Sequence, residues 1–355
     1  MAYITLFDKN FNSLGSKEDF VATQHIVKNW SLKRRAYEFD DFTVTCRGFR
    51  DSKNACFVGL YSDEGKLRYV CFCGIPKRDG ELTTITGIDC RNIFNQTLQV
   101  NLASSSITSL KSLYTFLMKT AMGNIKIGVD YELKFDSLTD LIWEDPGLYI
   151  EQTLDVRNIW ELIQATNARF DKIVVASWEV NEETNTYKLI FSVKDINEAV
   201  YIKLSDYNVR MTRTNNVTNI AVAATKDFSA SSIFYLTNDN EVIQATTAQG
   251  ISAERALFPP KAETYTADTL EEAETEARQA LYDNRFKDRV TINCNTVLGK
   301  KRLDKVDLNY FAYLIGYNPS DQDSVKRLPV SAIEEDSNGD RKIEFGRLSE
   351  YWFLN

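Results

Sequence analysis

Short runs of alternating apolar and polar residues, separated by tight turn sequences, fill the first hundred residues of this chain. Residues 42–46 alternate in this way, and residues 55–61 and 67–74 flank the turn sequence Ser62-Asp63-Glu64-Gly65. A glycine-containing loop of this length between two β-rich runs predicts a hairpin. Residues 82–88 continue the pattern. Four or five strands with short connections predict a β-sandwich or a β-barrel.

The apolar period changes from two to three and four after residue 104. The apolar residues at the new spacing are Ile107, Leu110, Leu113, Tyr114, Leu117 and Ala121. They share one face of a helix, for which residues 104–106 supply serine caps and Gly123 supplies a stop. A second helix is predicted over residues 155–167. Residues 172–180 and 187–193 are predicted to form a hairpin. This part of the chain is therefore predicted to form a compact α+β unit.

Strands resume from about residue 201, most clearly at residues 217–223 and 232–236. A helix is predicted over residues 269–287, because Asp268 and Glu271 have the spacing of a capping box. Glutamates near its start and basic residues near its end complement the helix dipole. Further strands are predicted to close the chain, at residues 290–293, 311–316, 330–333 and 341–345.

These patterns together predict a β-rich α+β protein with two β-barrel-like domains and an inserted α+β unit of two helices and a hairpin. The expected boundaries are 1–104 for the first barrel-like domain, 105–200 for the insert, and 201–355 for the second barrel-like domain with its helix at 269–287. A chain of 355 residues with 43% hydrophobic residues is long enough to bury a core in two or three domains.

The net charge of the chain indicates whether it can bind nucleic acid stably. The formal net charge is −8, which argues against a stable grip on nucleic acid, because such a grip needs clustered Lys and Arg. An acidic protein can still surround DNA that must slide past it. Neither a signal peptide nor a membrane-spanning run is found, so a soluble protein made in a cytoplasm, without membrane anchoring, is expected.

His25 is the only histidine of the chain. A Ser-His-Asp or Cys-His nucleophile system would therefore have to use it, and no motif surrounds it. A structural histidine is the favoured interpretation, and no catalytic residue is predicted.

Cys71 and Cys73 have a spacing of two, which places both sulfurs on one face of a strand. Zinc and thioredoxin-like sites use a Cys-x-x-Cys turn instead. Cys46, Cys56 and Cys90 could in principle complete a cluster, but they lie in apolar, strand-like runs where cysteine behaves as a small hydrophobe. No metal and no cofactor is therefore predicted.

Two charged segments have features of binding sites. Residues 336–340 resemble a calcium loop, but the glycine falls one place early and Arg347 stands where a bidentate Glu is needed. Asn338-Gly339 is instead predicted to be a type I′ hairpin turn. The basic cluster Lys33-Arg34-Arg35 is followed by acidic residues, so a solvated turn or an inter-subunit contact is predicted and a nucleic-acid patch is not.

The order of elements resembles the tail hub family of siphophages and the hubs of contractile tails and tailocins. The stretches that carry this resemblance are YITLFD at 3–8, FDDFTV at 39–44, the helix and hairpin over 155–193, LSDYN at 204–208, NVTNIAVA at 216–223, and the helix and strand over 270–292. The sequence departs from many such hubs at Ala224, where they have a glycine.

The resemblance implies a trimeric ring in which two related β-barrel domains per subunit alternate around a channel. It implies a structural, non-enzymatic role in the tail tip of a virion, joining the tail tube to the tip or baseplate. The implied partners are the distal tail or tail tube protein, the tape-measure protein and tip or receptor-binding proteins. Phage DNA would pass through the channel without specific binding, since an acidic wall repels phosphates.

Two alternatives remain at the level of sequence. The first is the hub portion of a tail-associated cell-wall hydrolase, which is disfavoured because the chain ends soon after the hub-like strands. The second is a module that binds a host receptor or carbohydrate through aromatic residues such as Trp143, Tyr149 and Trp160. Trp160 lies on the apolar face of the second predicted helix, so core packing is the stronger interpretation for it.

The interpretation of the cysteines can be tested directly. If they are reduced core residues, titration with a thiol reagent in denaturant, without reductant, will find all six thiols of the chain. Metal analysis of the same preparation will find no stoichiometric zinc. Two or more disulfides, or a tightly bound metal, would contradict this interpretation.

Overall fold

The computed structural model describes residues 2–14, 24–47, 54–100, 107, 109–125, 128–135, 155–181, 186–214, 220–236, 242–245, 262–283, 287–294, 303–318 and 321–346. The strands of this part of the chain are β1 Tyr3–Phe7, β2 Gln24–Arg35, β3 Asp41–Arg47, β4 Phe57–Tyr61, β5 Leu67–Cys73, β6 Lys77–Asp79, β7 Leu82–Ile88, β8 Thr97–Val100, β9 Asp130–Phe135, β10 Asp155–Asn158, β11 Lys172–Asn181, β12 Thr186–Asp195, β13 Glu198–Lys203, β14 Asn208–Thr214, β15 Ile220–Thr225, β16 Ser231–Leu236, β17 Val242–Ala245, β18 Ala262–Ala267, β19 Lys287–Asn293, β20 Tyr310–Ile315, β21 Val325–Asp336 and β22 Arg341–Phe345. Its α-helices are α1 Leu110–Met122, α2 Ile159–Phe170 and α3 Leu270–Asp283, and 3₁₀ turns cover Cys90–Phe94 and Leu204–Asp206. The predicted β-rich α+β class is confirmed.

The first seven strands include a closed barrel. Neighbours follow the order β1-β4-β5-β7-β3-β2, and β1 pairs back with β2, so the ring of strands returns to its start. The sequence forms this wall because alternate residues point inward: in β3, Phe42, Val44 and Cys46 are buried between exposed or half-buried neighbours. The strands predicted from residues 42–46, 55–61, 67–74 and 82–88 are confirmed as β3, β4, β5 and β7.

A second β array is joined to this barrel through two long strands. β2 and β21 each have 12 residues and pair antiparallel from Ser31–Asp336 to Arg35–Ala332, with Lys33 opposite Glu334 at the centre. The first five residues of β21 pair with β20, and β20 also pairs in parallel with β13. On the other flank the order continues through β22 and β19 to β14. The barrel and the second array therefore belong to one continuous sheet.

The predicted insert packs on the barrel as helices and a three-stranded sheet. β11 and β12 form the expected hairpin, and β9 joins β12 in parallel. Ser109 caps α1 in a capping box with Ser112, whereas the predicted caps at 104–106 lie outside the described residues. Phe7, Phe57, Tyr114, Ile163 and Phe191 lie in one buried cluster, so the insert and the barrel share a core.

The start of the second helix differs from the prediction. Residues 155–158 form β10, which pairs with β8, and α2 begins at Ile159. The Asn158 side chain accepts hydrogen bonds from the backbone N–H groups of Trp160 and Glu161. The predicted start at residue 155 was wrong because the apolar spacing continues through a strand, while the N-cap asparagine marks the true beginning.

The chain divides into two compact units. The first comprises residues 1–209 and 291–345, and the second comprises residues 210–290 and 346–355. In the second unit α3 covers the sheet β17-β16-β15-β18, with Ala223, Phe234 and Ala277 among the buried residues. These units do not follow the three domains 1–104, 105–200 and 201–355, because β20, β21 and β22 share a sheet with the first barrel. The three-domain division stays a prediction.

The last predicted helix is shorter than expected and capped one residue later. It ends at Asp283 in the described part, and Lys287 already begins β19. The Thr269 hydroxyl accepts from the N–H of Glu272, and the Glu272 carboxylate accepts from the N–H of Thr269. The capping box is therefore Thr269 with Glu272, and not Asp268 with Glu271.

The turn between β21 and β22 is a hairpin of a different type from the one predicted. Gly339 has a φ of 73°, but Asn338 is not among the residues with positive φ, so a type I′ turn is excluded. The Gly339 N–H donates to the Asp336 carbonyl, and the Asp336 carboxylate accepts from the N–H groups of Asn338 and Asp340. This is a type I turn followed by a left-handed glycine. The Asp336 carboxylate therefore stabilises the turn in which it lies.

The left-handed glycine gives a stability prediction. Replacing Gly339 with Val places a β-branched residue at positive φ and is expected to lower the free energy of unfolding by roughly 1 kcal/mol or more. Replacing it with Asn, which tolerates this conformation, is expected to cost less. Equilibrium urea denaturation measures both. Equal stability of the Val variant and the parent would show that the turn does not require a positive φ at residue 339.

Candidate functional site

Arg91 lies at the centre of a buried polar cluster in the first unit. Its side chain is 2% exposed and forms ion pairs of 2.6 Å with both Asp40 and Asp89. The same guanidinium donates to the backbone carbonyls of Arg35, Glu38 and Val174. One buried cation thereby ties the turn between β2 and β3 to β11 of the insert.

The acidic residues of this cluster, Asp40 and Asp89, also accept hydrogen bonds from other groups. Asp40 accepts from the N–H of Arg35 at 2.8 Å and from the hydroxyl of Tyr69 at 3.2 Å. Asp89 accepts from the N–H of Asp40 at 2.7 Å. Burial and the nearby Asp89 raise the pKa of Asp40 to about 6, although Arg91 acts in the opposite direction. Two carboxylates sharing one guanidinium leave an excess negative charge, and burial makes that excess costly.

Aromatic rings cover the guanidinium. Its carbon lies 5.6 Å from the centre of the Trp160 ring, and that ring stacks on Phe39 at 4.6 Å. Trp160 is 7% exposed, so it packs in the core and is not available as a carbohydrate platform. Trp143 and Tyr149, the other aromatic candidates, lie outside the described residues.

A pocket of about 290 Å³ opens beside the cluster. Its lining residues are Arg34, Asp40, Leu67, Arg68, Tyr69, Val70, Arg91, Val175, Ala176, Ser177, Trp178 and Leu308. Arg34 is engaged with Asp307 at 3.0 Å and Arg91 with its two carboxylates, whereas Arg68 makes no ion pair in the part of the chain that the structure describes. The pocket offers charged groups, aromatic side chains and backbone groups.

His25 lies in β2 opposite Ile4. The cysteines lie in different elements, although Cys73 and Cys90 are close enough to Cys71 to raise its pKa. Burial raises the pKa of Cys46 to about 12, and it raises the pKa of Cys71 and of Cys90 well above the ordinary value. Thiols in such surroundings are poor nucleophiles and poor metal ligands. Within the described residues, no group of three or more His, Cys, Asp or Glu side chains is placed to hold a metal ion.

The basic cluster Lys33-Arg34-Arg35 is not a solvated turn. All three residues lie in β2 where it pairs with β21. Lys33 pairs with Glu344 at 2.6 Å, Arg34 with Asp307, and Arg35 with Glu38 and Asp41. The prediction of a turn was wrong because Lys33 and Arg34 pair with carboxylates that are distant in sequence, whereas Arg35 pairs with the nearby Glu38 and Asp41. The alternative, an inter-subunit contact, stays a prediction.

The Arg91 cluster was missed at the level of sequence. The signal is an arginine in the segment Ile88-Asp89-Cys90-Arg91, two residues before the apolar pair Ile93 and Phe94. A cation in such a run, two residues after an aspartate, is expected to be buried and paired. Its second carboxylate, Asp40, is 51 residues away in sequence, and no local pattern connects the two.

No helix in the described ranges is long and apolar enough to cross a membrane. No protein-family model matches the chain, and no curated protein matches it by sequence.

Solved structures that are similar to the chain include phage tail proteins. A tail protein of Neisseria meningitidis is 10% identical, with 99% of this chain and 97% of that chain covered at a TM-score of 0.48. A prophage tail protein of Listeria monocytogenes is 11% identical, with 98% and 95% covered at 0.47. A component of the Escherichia coli type VI secretion system, described as similar to T4 bacteriophage tail proteins, is 6% identical, with 91% and 73% covered at 0.42.

The buried cation gives a first prediction for this cluster. Replacing Arg91 with Met leaves Asp40 and Asp89 buried beside each other without their partner, and is expected to cost ~3–5 kcal/mol of unfolding free energy. Arg47 is the matched control: its pair with Glu81 is three-quarters exposed on both sides, at 75% and 78%. Arg47→Met is expected to change stability by no more than about 0.5 kcal/mol. Similar losses for the two variants would contradict the role given to Arg91.

The raised pKa of Asp40 gives a second prediction. An acid whose pKa rises on folding, here from 3.8 to about 6, binds its proton more tightly in the native state. Its contribution to stability is therefore present below about pH 4 and is lost as the pH rises through about 6. The unfolding free energy of the parent minus that of Asp40→Asn, measured from pH 4 to pH 7.5, is expected to fall with rising pH. A difference that stays flat or rises would overturn this account of the cluster.

Proposed function

We propose that the chain is a structural hub subunit of a bacteriophage tail or of a phage-like particle, located at the tail tip or baseplate of the virion. The observation that carries the proposal is the continuous sheet in which a β-barrel and a second β array are joined by β2 and β21. If each subunit contributes two such arrays to the wall, the ring contains twice as many arrays as subunits. A ring of few subunits can then match a tube of higher symmetry.

Open strand edges support assembly into a ring. β6 and β13 are each paired along one edge only in the described part of the chain. Such edges invite uncontrolled pairing unless they are covered. Closure around an axis covers the same edge on every copy at once, through a heterologous contact that does not continue into a filament. The proposed assembly is a homotrimer.

The proposed partners follow from this position. The ring joins the tail tube or distal tail protein, and the tape-measure protein, to the tip or receptor-binding proteins, and it surrounds the path of the phage DNA. The net charge of −8 suits such a conduit, because phosphates are repelled from an acidic wall and do not adhere to it. The wall of the channel is therefore expected to be richer in Asp and Glu than the outer surface.

A structural role without catalysis is proposed for this chain. The polar cluster around Arg91 is saturated by ion pairs and backbone carbonyls, which suits a rigid joint better than proton transfer. A cell-wall hydrolase remains the alternative for a hub fused to a lytic domain. Peptidoglycan zymography of the purified chain, with His25→Ala as its partner variant, separates the two: a lytic band that disappears in the variant would favour the hydrolase.

The ring is tested by particle mass. Mass photometry of the purified chain, alone and with the neighbouring tail protein, is expected to find three copies of the 40.6 kDa chain in one particle. Adding a charge at the covered edge is expected to give monomers and no open filaments. A chain that stays monomeric in the presence of its tail partner, or assembles without limit, would defeat the proposal.

A further inference from the structure

The outward face formed by β13, β20 and the first five residues of β21 is exposed although it is largely apolar. Ile202, Ala312 and Leu314 are at most 1% exposed and form the buried face of these strands. Because residues two apart in a strand share a face, the alternate residues form the opposite face. They are Ala199, Tyr201 and Lys203 of β13, Phe311, Tyr313 and Ile315 of β20, and Val325, Arg327 and Pro329 of β21. We refer to this surface as the tyrosine face.

The composition of the tyrosine face is unusual for strands that face solvent. When one side of a sheet is solvated, its outward residues are usually polar. The first barrel follows this rule, since the outward residues of β3 are Asp41, Thr43, Thr45 and Arg47. On the tyrosine face, by contrast, Tyr201 is 71% exposed and Val325 is 56% exposed. Large apolar side chains grouped in this way on a surface mark a contact with another molecule.

The aromatic side chains of this face are ordered before any partner binds. Tyr201 lies opposite Tyr313 in the pairing of β13 with β20, and the two rings stack with their centres 4.9 Å apart. The guanidinium carbon of Arg327 lies 3.7 Å from the centre of the Phe311 ring on the neighbouring strand. Side chains that are already ordered lose little conformational entropy in a contact. Tyrosine and arginine are also enriched at the centres of protein–protein interfaces.

The charge of the tyrosine face indicates what covers it. The face contains two cations, Lys203 and Arg327, and no carboxylate. Neither cation forms an ion pair within the described ranges of the chain. A complementary surface therefore presents Asp or Glu beside apolar side chains. A second copy of this chain offers such carboxylates in excess, because it has 50 Asp and Glu residues against 42 Lys and Arg residues.

We propose that the tyrosine face is the centre of the contact between neighbouring copies in the ring, where it packs on an acidic surface of the next copy. The inference rests on the proposed ring and adds the surface that closes it. The position of the face supports it. β13 borders the face and pairs only with β20 in the described part of the chain, so a neighbour that covers the second edge of β13 also reaches the face.

The size of the face fits a centre and not a whole interface. With about 4.8 Å between strands and about 3.3 Å per residue, three strands of five residues cover roughly 250 Å². A stable interface buries about 800 Å² on each partner. The polar surface around the face therefore supplies the rim of the contact, as in other interfaces where a few central aromatic residues contribute most of the affinity.

Carbodiimide cross-linking of the full-length chain identifies the partner of Lys203. The reagent activates a carboxylate, and a lysine amine in contact with that carboxylate then forms an amide. Isotopically heavy and ordinary copies are mixed at low concentration and then concentrated before the reagent is added. Peptide mass spectrometry is expected to find Lys203 of one isotopic form joined to an Asp or Glu of the other form. Only a contact between two copies produces such a link.

Substitution of the most exposed tyrosine tests how much the face contributes. Tyr201→Glu places a carboxylate against an acidic surface and is expected to weaken association by about tenfold or more. Tyr201→Phe keeps the ring and is expected to retain association. Tyr131, a 40% exposed tyrosine of β9, is the matched site, and Tyr131→Glu is expected to leave association unchanged. Sedimentation velocity over a range of concentrations measures association, and the urea midpoint of each variant reveals any loss of fold.

The remaining outcomes separate this contact from the ring itself. A trimer that Tyr201→Glu leaves intact, or that Tyr131→Glu weakens equally, would remove the face from the contact while the ring stands. Lys203 joined only within its own copy, or only to the neighbouring tail protein, would contradict the inference. A chain that stays monomeric with its tail partner would exclude both proposals. Unlimited assembly that Tyr201→Glu prevents would confirm the contact and exclude the closed ring.

Discussion

The antiparallel pairing of β2 with β21 is the constraint on which the rest of the first unit depends. It connects segments almost 300 residues apart and merges a closed barrel and a second array into one sheet. A slip of one residue would turn every side chain of β21 to the opposite face. Residues 329–333 are buried on both faces, so burial alone does not distinguish the two registers. A slip would, however, leave polar groups such as Lys33 without their partners.

Ion pairs select the register between β2 and β21, which hydrophobic burial alone does not determine. Lys33 stands opposite Glu334 and forms its ion pair with Glu344 of β22, and Lys342 pairs with Glu334. Exposed ion pairs contribute little to stability, but Lys33 and Glu344 are only 20% and 13% exposed. Misplacing such a pair costs more than forming it gains. The cluster around Arg91 acts by the same principle at the joint between barrel and insert.

Local patterns predicted the elements well, because each element follows from nearby residues. Alternation in Phe42, Val44 and Cys46 gave a strand, and the spacing of Leu113, Tyr114 and Leu117 gave a helix. The boundaries of α2 and α3 were misplaced where a cap residue, and not the apolar period, decides the start. The type of the turn at Gly339 was misjudged because the Asp336 carboxylate organises the loop.

Long-range pairing was beyond local reasoning. Nothing near Lys33 indicates that its carboxylate partner, Glu344, lies 311 residues away in sequence, so the local sequence does not distinguish this strand from a turn. The same holds for Arg91, whose two carboxylates come from separate segments, and for the pocket, whose lining residues come from β2, β5, β11 and separate turns. Pairing between distant strands determines these sites, and no periodic pattern in a single sequence indicates which distant strands pair.

We propose that the joined sheets of several copies form the wall of a closed ring. Electron cryomicroscopy of the assembled tail tip measures this most directly. The account predicts three copies around one axis, with the sheets that contain β2 and β21 surrounding a channel whose wall carries more Asp and Glu than Lys and Arg. Single copies on the outside of the tail, or a channel lined by Lys and Arg, would contradict it.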